Sequence, residues 1–159
     1  MPLALDPNET VPVSLETDLP KPEEVRPVFL ARHMTCAETR LVKQLTQQAF
    51  DEKDDDKSQL TVDRVLAIQY AGWRNVCDRD GKPIPFEVKD GRLVTADDAL
   101  GPIDKWELVR AAVPATQINQ LEKKRLLLLS KRERSAENAT TNASVTSPPA
   151  TTTPSAPPA

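Results

Sequence analysis

Glycine is scarce. With four in 159 residues, the chain has almost no backbone able to cradle a phosphate, and no Gly-rich phosphate loop is present. Histidine occurs once, at His33, and neither a nucleophile elbow nor a paired-carboxylate motif accompanies it. The nucleophile and base that a hydrolase or transferase needs are therefore not in the sequence. No run of about 18 apolar residues offers a membrane span. The start, Met1-Pro2-Leu3-Ala4-Leu5-Asp6-Pro7, has neither the basic opening nor the long apolar stretch of a secretory signal. The expectation is a protein that stays in the compartment where it is made. Only Cys36 and Cys77 are present, read as core-facing or strand positions, and reduced thiols fit a cytosolic chain better than a disulfide scaffold. The sequons at Asn8, Asn138 and Asn142 are then chance matches. Neither sign of charge dominates: 21 basic against 24 acidic residues give a net charge of −3, too little to steer the chain toward nucleic acid or anionic lipid.

What is present suits one modest core. Hydrophobic residues make up 38% and charged residues 28%, near globular averages, whereas the 15 prolines are about twice the usual share. They gather at the ends, from Pro2 to Pro27 and from Pro148 to Pro158, which leaves the middle as the folded part. The pattern divides into an extended proline-rich segment with an edge strand (1–26), an α+β domain (27–130) and an Ala/Thr/Pro-rich tail (131–159). That domain is mostly helical, with short edge strands and a β-hairpin. The tail has Val145 as its one large apolar residue after Ser135, so its composition predicts disorder.

Val11, Val13 and Leu15 alternate with polar positions and Pro12, the pattern of an edge strand, and Val28–Arg32 reads as a second strand. Thr35 with Glu38 predicts a capping box, followed by a helix whose apolar face is Ala37, Leu41, Val42, Leu45, Ala49 and Phe50. The charged run Asp51–Lys57 reads as a solvated loop. A second helix is expected to open at Thr61 and stop at Gly72. Beyond it, Trp73–Cys77 and Lys82–Val88 read as extended, with turns at Arg79-Asp80-Gly81 and Asp90-Gly91. Thr95 opens a short helix that Gly101-Pro102 breaks. Ile103, Trp106, Val109, Arg110 and Val113 then stripe a helix expected to end at Pro114, with Ile118, Leu121, Arg125 and Leu128 continuing the period.

His33-x-x-Cys36 has half of a metal-ligand spacing that Cys77 and Asp78 could complete, but a junction histidine and near-core cysteines are the commoner explanation. Asp78-Arg79-Asp80-Gly81 fails as a calcium loop in either register, because Val76 or Lys89 falls on a ligand position, and reads as a hairpin turn. The composition points to no cofactor and no catalytic or metal site. The basic clusters Lys123–Arg125 and Lys131–Arg134 lack stacking aromatics, so they read as a solvated helix end, with a protein contact as the second reading and nucleic acid last. Leu126, Leu127, Leu128 and Leu129 between them are too continuous for one helical face. At least one leucine is left for solvent or a partner.

The stretch from Val65 to Phe86 runs helix, Gly72-Trp73, then Asp78-x-Asp80-Gly81-Lys82-Pro83-x-Pro85-Phe86. It resembles the core of tail assembly chaperones from long-tailed, siphovirus-type bacteriophages. Phe29–Thr35 and the helix after it are similar to the family's strand-then-helix opening, so the resemblance spans roughly Leu15 to Val113. Gly72, Trp73, Asp78, Gly81, Pro83 and Phe86 carry it, as structural residues. The resemblance implies a non-enzymatic protein, left out of the finished particle, that binds the tape-measure protein and tail-tube subunits in the host cell cytoplasm. It also implies a longer frameshifted product in many members and leaves homo-oligomerisation open. No nucleic acid and no membrane enters that role. The alternative from another class is a structural virion component, such as a head-tail connector or minor tail protein.

Overall fold

The computed structural model describes residues 6 and 8–145, with side chains through residue 138. The chain divides into two units, Met1–Leu121 and Glu122–Ala159. In order, the elements are β1 (Thr10–Val13), a 3-10 turn (Glu16–Asp18), β2 (Val28–Arg32), α1 (Cys36–Asp51), α2 (Asp55–Gln69), β3 (Tyr70–Arg74), β4 (Val88–Lys89), β5 (Arg92–Leu93), α3 (Ala96–Ala99) and α4 (Pro102–Val145). The first unit holds everything through the opening turns of α4 and is a small α+β domain, the class its sequence predicts.

β2 is central in an antiparallel sheet of order β1-β2-β3. Pro12, which cannot donate to a ladder, sits on edge strand β1 opposite Leu30. Alternation along β2 buries Phe29 and Ala31, and Phe29 pairs across the sheet with both Val13 and Trp73. β3 ends where Asn75 takes a left-handed φ of 58°. Its amide holds the backbone oxygens of Glu24 and Arg26, each at 3.1 Å. Asp90 and Gly91, both at positive φ, form the two-residue turn joining β4 to β5.

α1 opens with the expected capping box: Thr35 Oγ1 accepts from Glu38 N–H, and Glu38 Oε2 accepts from Thr35 N–H at 2.8 Å. Its buried face is narrower than the sequence suggests. Val42 and Ala49 are buried and Leu45 packs against the core, while Leu41 is exposed and Phe50 is 75% exposed. α2 begins at Asp55, ahead of the expected Thr61, because Asp54 caps it by accepting from Asp56 N–H and Lys57 N–H. The acidic run that reads as a loop thus makes a favourable first turn at the positive end of the helix dipole. Ser58 Oγ donates to Ala49 O at 2.7 Å and ties the α1–α2 corner.

α2 also stops before Gly72. Tyr70 and Gln69 are buried and bond α4 backbone, Tyr70 hydroxyl to Leu108 O at 2.6 Å and Gln69 Nε2 to Val109 O at 3.2 Å, and the backbone from Tyr70 onward finds its partners in β2. Lys82–Val88 is not a full strand. A single bridge joins Cys77 to Pro83, and regular pairing starts only at Val88. α4 does not end at Pro114 but runs through it. The missing N–H and ring clash cost about 3 kcal/mol inside a helix. Burial of Leu108, Val109 and Ala112 before that exposed proline, and of Thr116 after it, holds both sides in place.

Of the second unit, the described part is helical through Val145. A tail disordered from residue 131 is the sequence reading, yet the helix continues. Lys131–Asn138 is rich in helix-forming Lys, Arg, Glu and Ala, and no proline interrupts before Pro148. Residues 146–159 of that expected tail lie outside the described residues.

Candidate functional site

The residues singled out between Gly72 and Phe86 come together as a packed corner. Trp73 Nε1–H donates to Ile84 O at 2.7 Å. The Trp73 ring meets Phe86 edge-to-face at 5.1 Å and Phe29 at 6.1 Å, and Phe29 meets Tyr70 at 6.4 Å. Asp78 Oδ1 accepts from Asp80 N–H and Lys82 N–H, both at 2.9 Å, so the carboxylate is spent on its own turn. Gly81 supplies a φ of 77° in that turn. Gly72 lies in β3, where a Cβ would meet Leu30 Cδ1 at 3.8 Å, and Pro83 is exposed. The space left among these rings and Leu66, Leu93, Leu100 and Leu108 is about 10 Å³, too small for a ligand. The corner is scaffold.

His33 is buried where β2 meets α1. Its ring nitrogens face Asn119 Nδ2 at 3.4 Å and Gln120 Nε2 at 3.3 Å, with Glu9 Oε2 at 3.9 Å. The ring pins α4 to the end of β2. Cys36 and Cys77, read as core-facing or strand positions, are both exposed: Cys36 stands on the solvent side of α1's first turn, and Cys77 keeps one strand-like bridge, to Pro83, in the Val76–Ile84 loop. Among the described residues no three His, Cys, Asp or Glu side chains group as metal ligands.

One buried charge cluster escapes sequence reading. Lys105 is 1% exposed, with its ammonium 2.8 Å from Asp63 Oδ1 and 2.5 Å from Asp97 Oδ1. Burial pushes the Asp63 carboxyl above its ordinary range, and Lys105 pulls it partly back. Lys105, Leu108, Val109, Ala112 and Thr116 form the true buried stripe of α4; Ile103, expected on it, is 82% exposed. The signal missed is that a lysine can occupy a stripe position when acidic partners meet it there.

The exposed apolar surface is of two kinds. In the second unit, Leu126, Leu127, Leu128 and Leu129 are all exposed, at 65%, 44%, 67% and 47%. In the first unit, an open groove of about 840 Å³ runs between the end of α1 and the opening turns of α4. Phe50, Ile103 and Trp106 line it, with Glu16, Glu52, Asp55 and Glu107 beside them. A second groove of about 530 Å³, lined by Val42, Val109 and Val113, lies on the other side of Phe50 and Trp106. Among the described residues no helix is long and apolar enough to cross a membrane.

No protein-family model matches the chain, and neither a curated protein nor a solved structure matches it.

Proposed function

We propose that this chain is a non-enzymatic assembly chaperone of long-tailed bacteriophages, acting in the host cytoplasm on the tape-measure protein and tail-tube subunits. The observation that carries the reading is the four-leucine run, exposed on all sides of a helix whose neighbours are charged. Four leucines in water are unfavourable, and a client helix laying its own apolar face against them would bury them. Burial of each leucine contributes about 1.5–3 kcal/mol when complete. The resemblance of Val65–Phe86 to tail assembly chaperones supplies the biological setting.

The test is co-expression with the tape-measure protein, the long helical product expected from the adjacent downstream gene. Wild type keeps that client soluble, and Leu126→Glu with Leu129→Glu lowers the soluble fraction while the domain stays folded. A client whose solubility ignores this chain, together with stoichiometric presence of the chain in purified particles, overturns the chaperone reading and puts a structural virion component in its place.

A further inference from the structure

We propose that the slot between α1 and α4, on the Val113 side of Phe50 and Trp106, is a docking site for a short acidic segment of a partner protein, anchored by a tyrosine or tryptophan side chain. Its walls follow from helical spacing: Val42, Thr46 and Phe50 lie along α1, Trp106, Val109 and Val113 along α4, and the space between them is about 530 Å³. Two turns of α1 separate Val42 from Phe50, about 12 Å, the length of about four extended residues. A slot of that length takes a short peptide segment and one large side chain.

The floor and the edge of the slot define that side chain and its neighbours. Gln69, at the end of α2, lines the slot at 1% exposure. Its Nε2 donates to Val109 O at 3.2 Å, which fixes the orientation of the amide, and its Oε1 is buried and accepts no hydrogen bond among the described residues. A buried acceptor without a donor is unfavourable, and an occupant that brings a donor satisfies it. The apolar walls require the rest of the entering side chain to be apolar. An aromatic ring ending in O–H or N–H meets both demands, and such rings are the common anchors of protein interfaces. At the edge, Lys43 and Arg110 are exposed, and neither makes a hydrogen bond or ion pair among the described residues. No acidic side chain lines the slot among those residues. The flanks that fit are therefore carboxylates, which accept charge-assisted hydrogen bonds from both cations.

This chain supplies no such segment. Its one tyrosine, Tyr70, and both tryptophans, Trp73 and Trp106, belong to the folded domain, and Leu126–Leu129 is flanked by Lys124, Arg125, Lys131 and Arg132, the wrong sign for Lys43 and Arg110. The occupant is therefore a different protein. Its site is separate from the leucines that take the client in the reading above, so the two stand or fall independently.

The experiment titrates the full-length chain, by calorimetry, with the acetylated and amidated peptide Glu-Glu-Leu-Tyr-Glu-Glu and with its tryptophan counterpart. At least one is expected to bind one-to-one with a dissociation constant of about 100 μM or tighter. Phenylalanine in place of the tyrosine removes only the hydroxyl donor and is expected to weaken binding about tenfold, which reads the Gln69 oxygen without altering the protein. Lysine in place of the glutamates is expected to abolish binding, and raising salt from about 0.05 to about 0.5 M to weaken it. Lys43→Glu with Arg110→Glu, both at exposed positions, is expected to lose the peptide at an unchanged melting temperature. Leu126→Glu with Leu129→Glu is expected to bind it as wild type does. Binding of neither peptide, equal binding of the phenylalanine or lysine versions, or loss of binding in the leucine variant overturns the inference. So does N-acetyltyrosinate bound as tightly as the peptide, which puts a small aromatic acid in the slot instead of a protein segment.

Discussion

Lys105 Nζ sits 2.8 Å from Asp63 Oδ1, with both side chains at most 3% exposed, and joins α4 to α2. At that distance the ammonium supplies both a hydrogen bond and a coulombic attraction to the carboxylate. Removing one member leaves the other charge buried without its partner, which costs about 3–5 kcal/mol, whereas replacing both by apolar residues can be neutral. Lys105→Ala is therefore expected to lower the urea midpoint sharply, and Lys105→Met with Asp63→Leu to recover much of the loss. Equal midpoints for wild type and Lys105→Ala would remove the ion contact from the account of stability.

The same carboxylate sets a pH dependence. Burial raises the folded Asp63 above its ordinary 3.8, against the opposing pull of Lys105. The folded state therefore holds the proton more tightly, and this contribution is full below about pH 3.8 and lost as pH rises through the folded value. Glu38 runs the other way. The Thr35 N–H bond, helped by Arg32, holds it below its ordinary 4.5, so its contribution is present above that value and lost as pH falls through the folded one. In urea titrations across acid pH, Asp63→Asn is expected to remove the first slope and Glu38→Gln the second. If neither substitution alters the profile, these two groups do not govern it.

Trp73 spans the sheet and the Val76–Ile84 loop through its indole bond to Ile84 O and its contacts with Phe29 and Phe86. Because the ring is half-buried, Trp73→Ala is expected to cost about 3 kcal/mol, the low end for truncating a tryptophan. Trp73→Phe, which keeps the ring contacts and loses the hydrogen bond, is expected to cost less. Thermal unfolding of the two variants separates packing from the bond.

The glycines of this region differ in what they tolerate. Gly81 stands at φ 77°, where any Cβ is strained although nothing crowds it, and Gly81→Ala is expected to cost about 1 kcal/mol. Gly72 lies in ordinary strand backbone with Leu30 Cδ1 at van der Waals distance, so Gly72→Ala is expected to leave the melting temperature within about a degree. The reverse ranking would mean that the Asp78–Gly81 turn is not the conformational constraint.

Truncation after Leu129 tests the division of the chain. Among the described residues the buried apolar core runs from Val13 to Ala112, with Ala115 packed against it, so removing residues 130–159 is expected to leave the unfolding midpoint of the first unit unchanged. A lower midpoint would show that the later part of α4 contributes to that core.

The sequence by itself determined what depends on neighbours a few residues apart. The Thr35/Glu38 capping box, the Asp90-Gly91 turn, β2 at Val28–Arg32, the edge position of Pro12 and the break at Gly101-Pro102 are local geometry and local hydrogen bonds, and they are legible in order of residues alone. Only the tertiary structure decided which apolar side chains are covered. Leu41, Phe50 and Ile103 stand on the same expected stripes as Val42, Leu45 and Val109, and the choice between them follows from where α1, α2, α4 and the sheet meet. The same holds for Gly72, placed in a strand because β2 supplies its partners, and for Pro114, carried through α4 because packing on both sides outweighs one lost bond. Lys105 is the sharpest instance: a charged residue enters the core only where Asp63 from another helix is waiting, a long-range pairing that periodicity along one segment cannot encode.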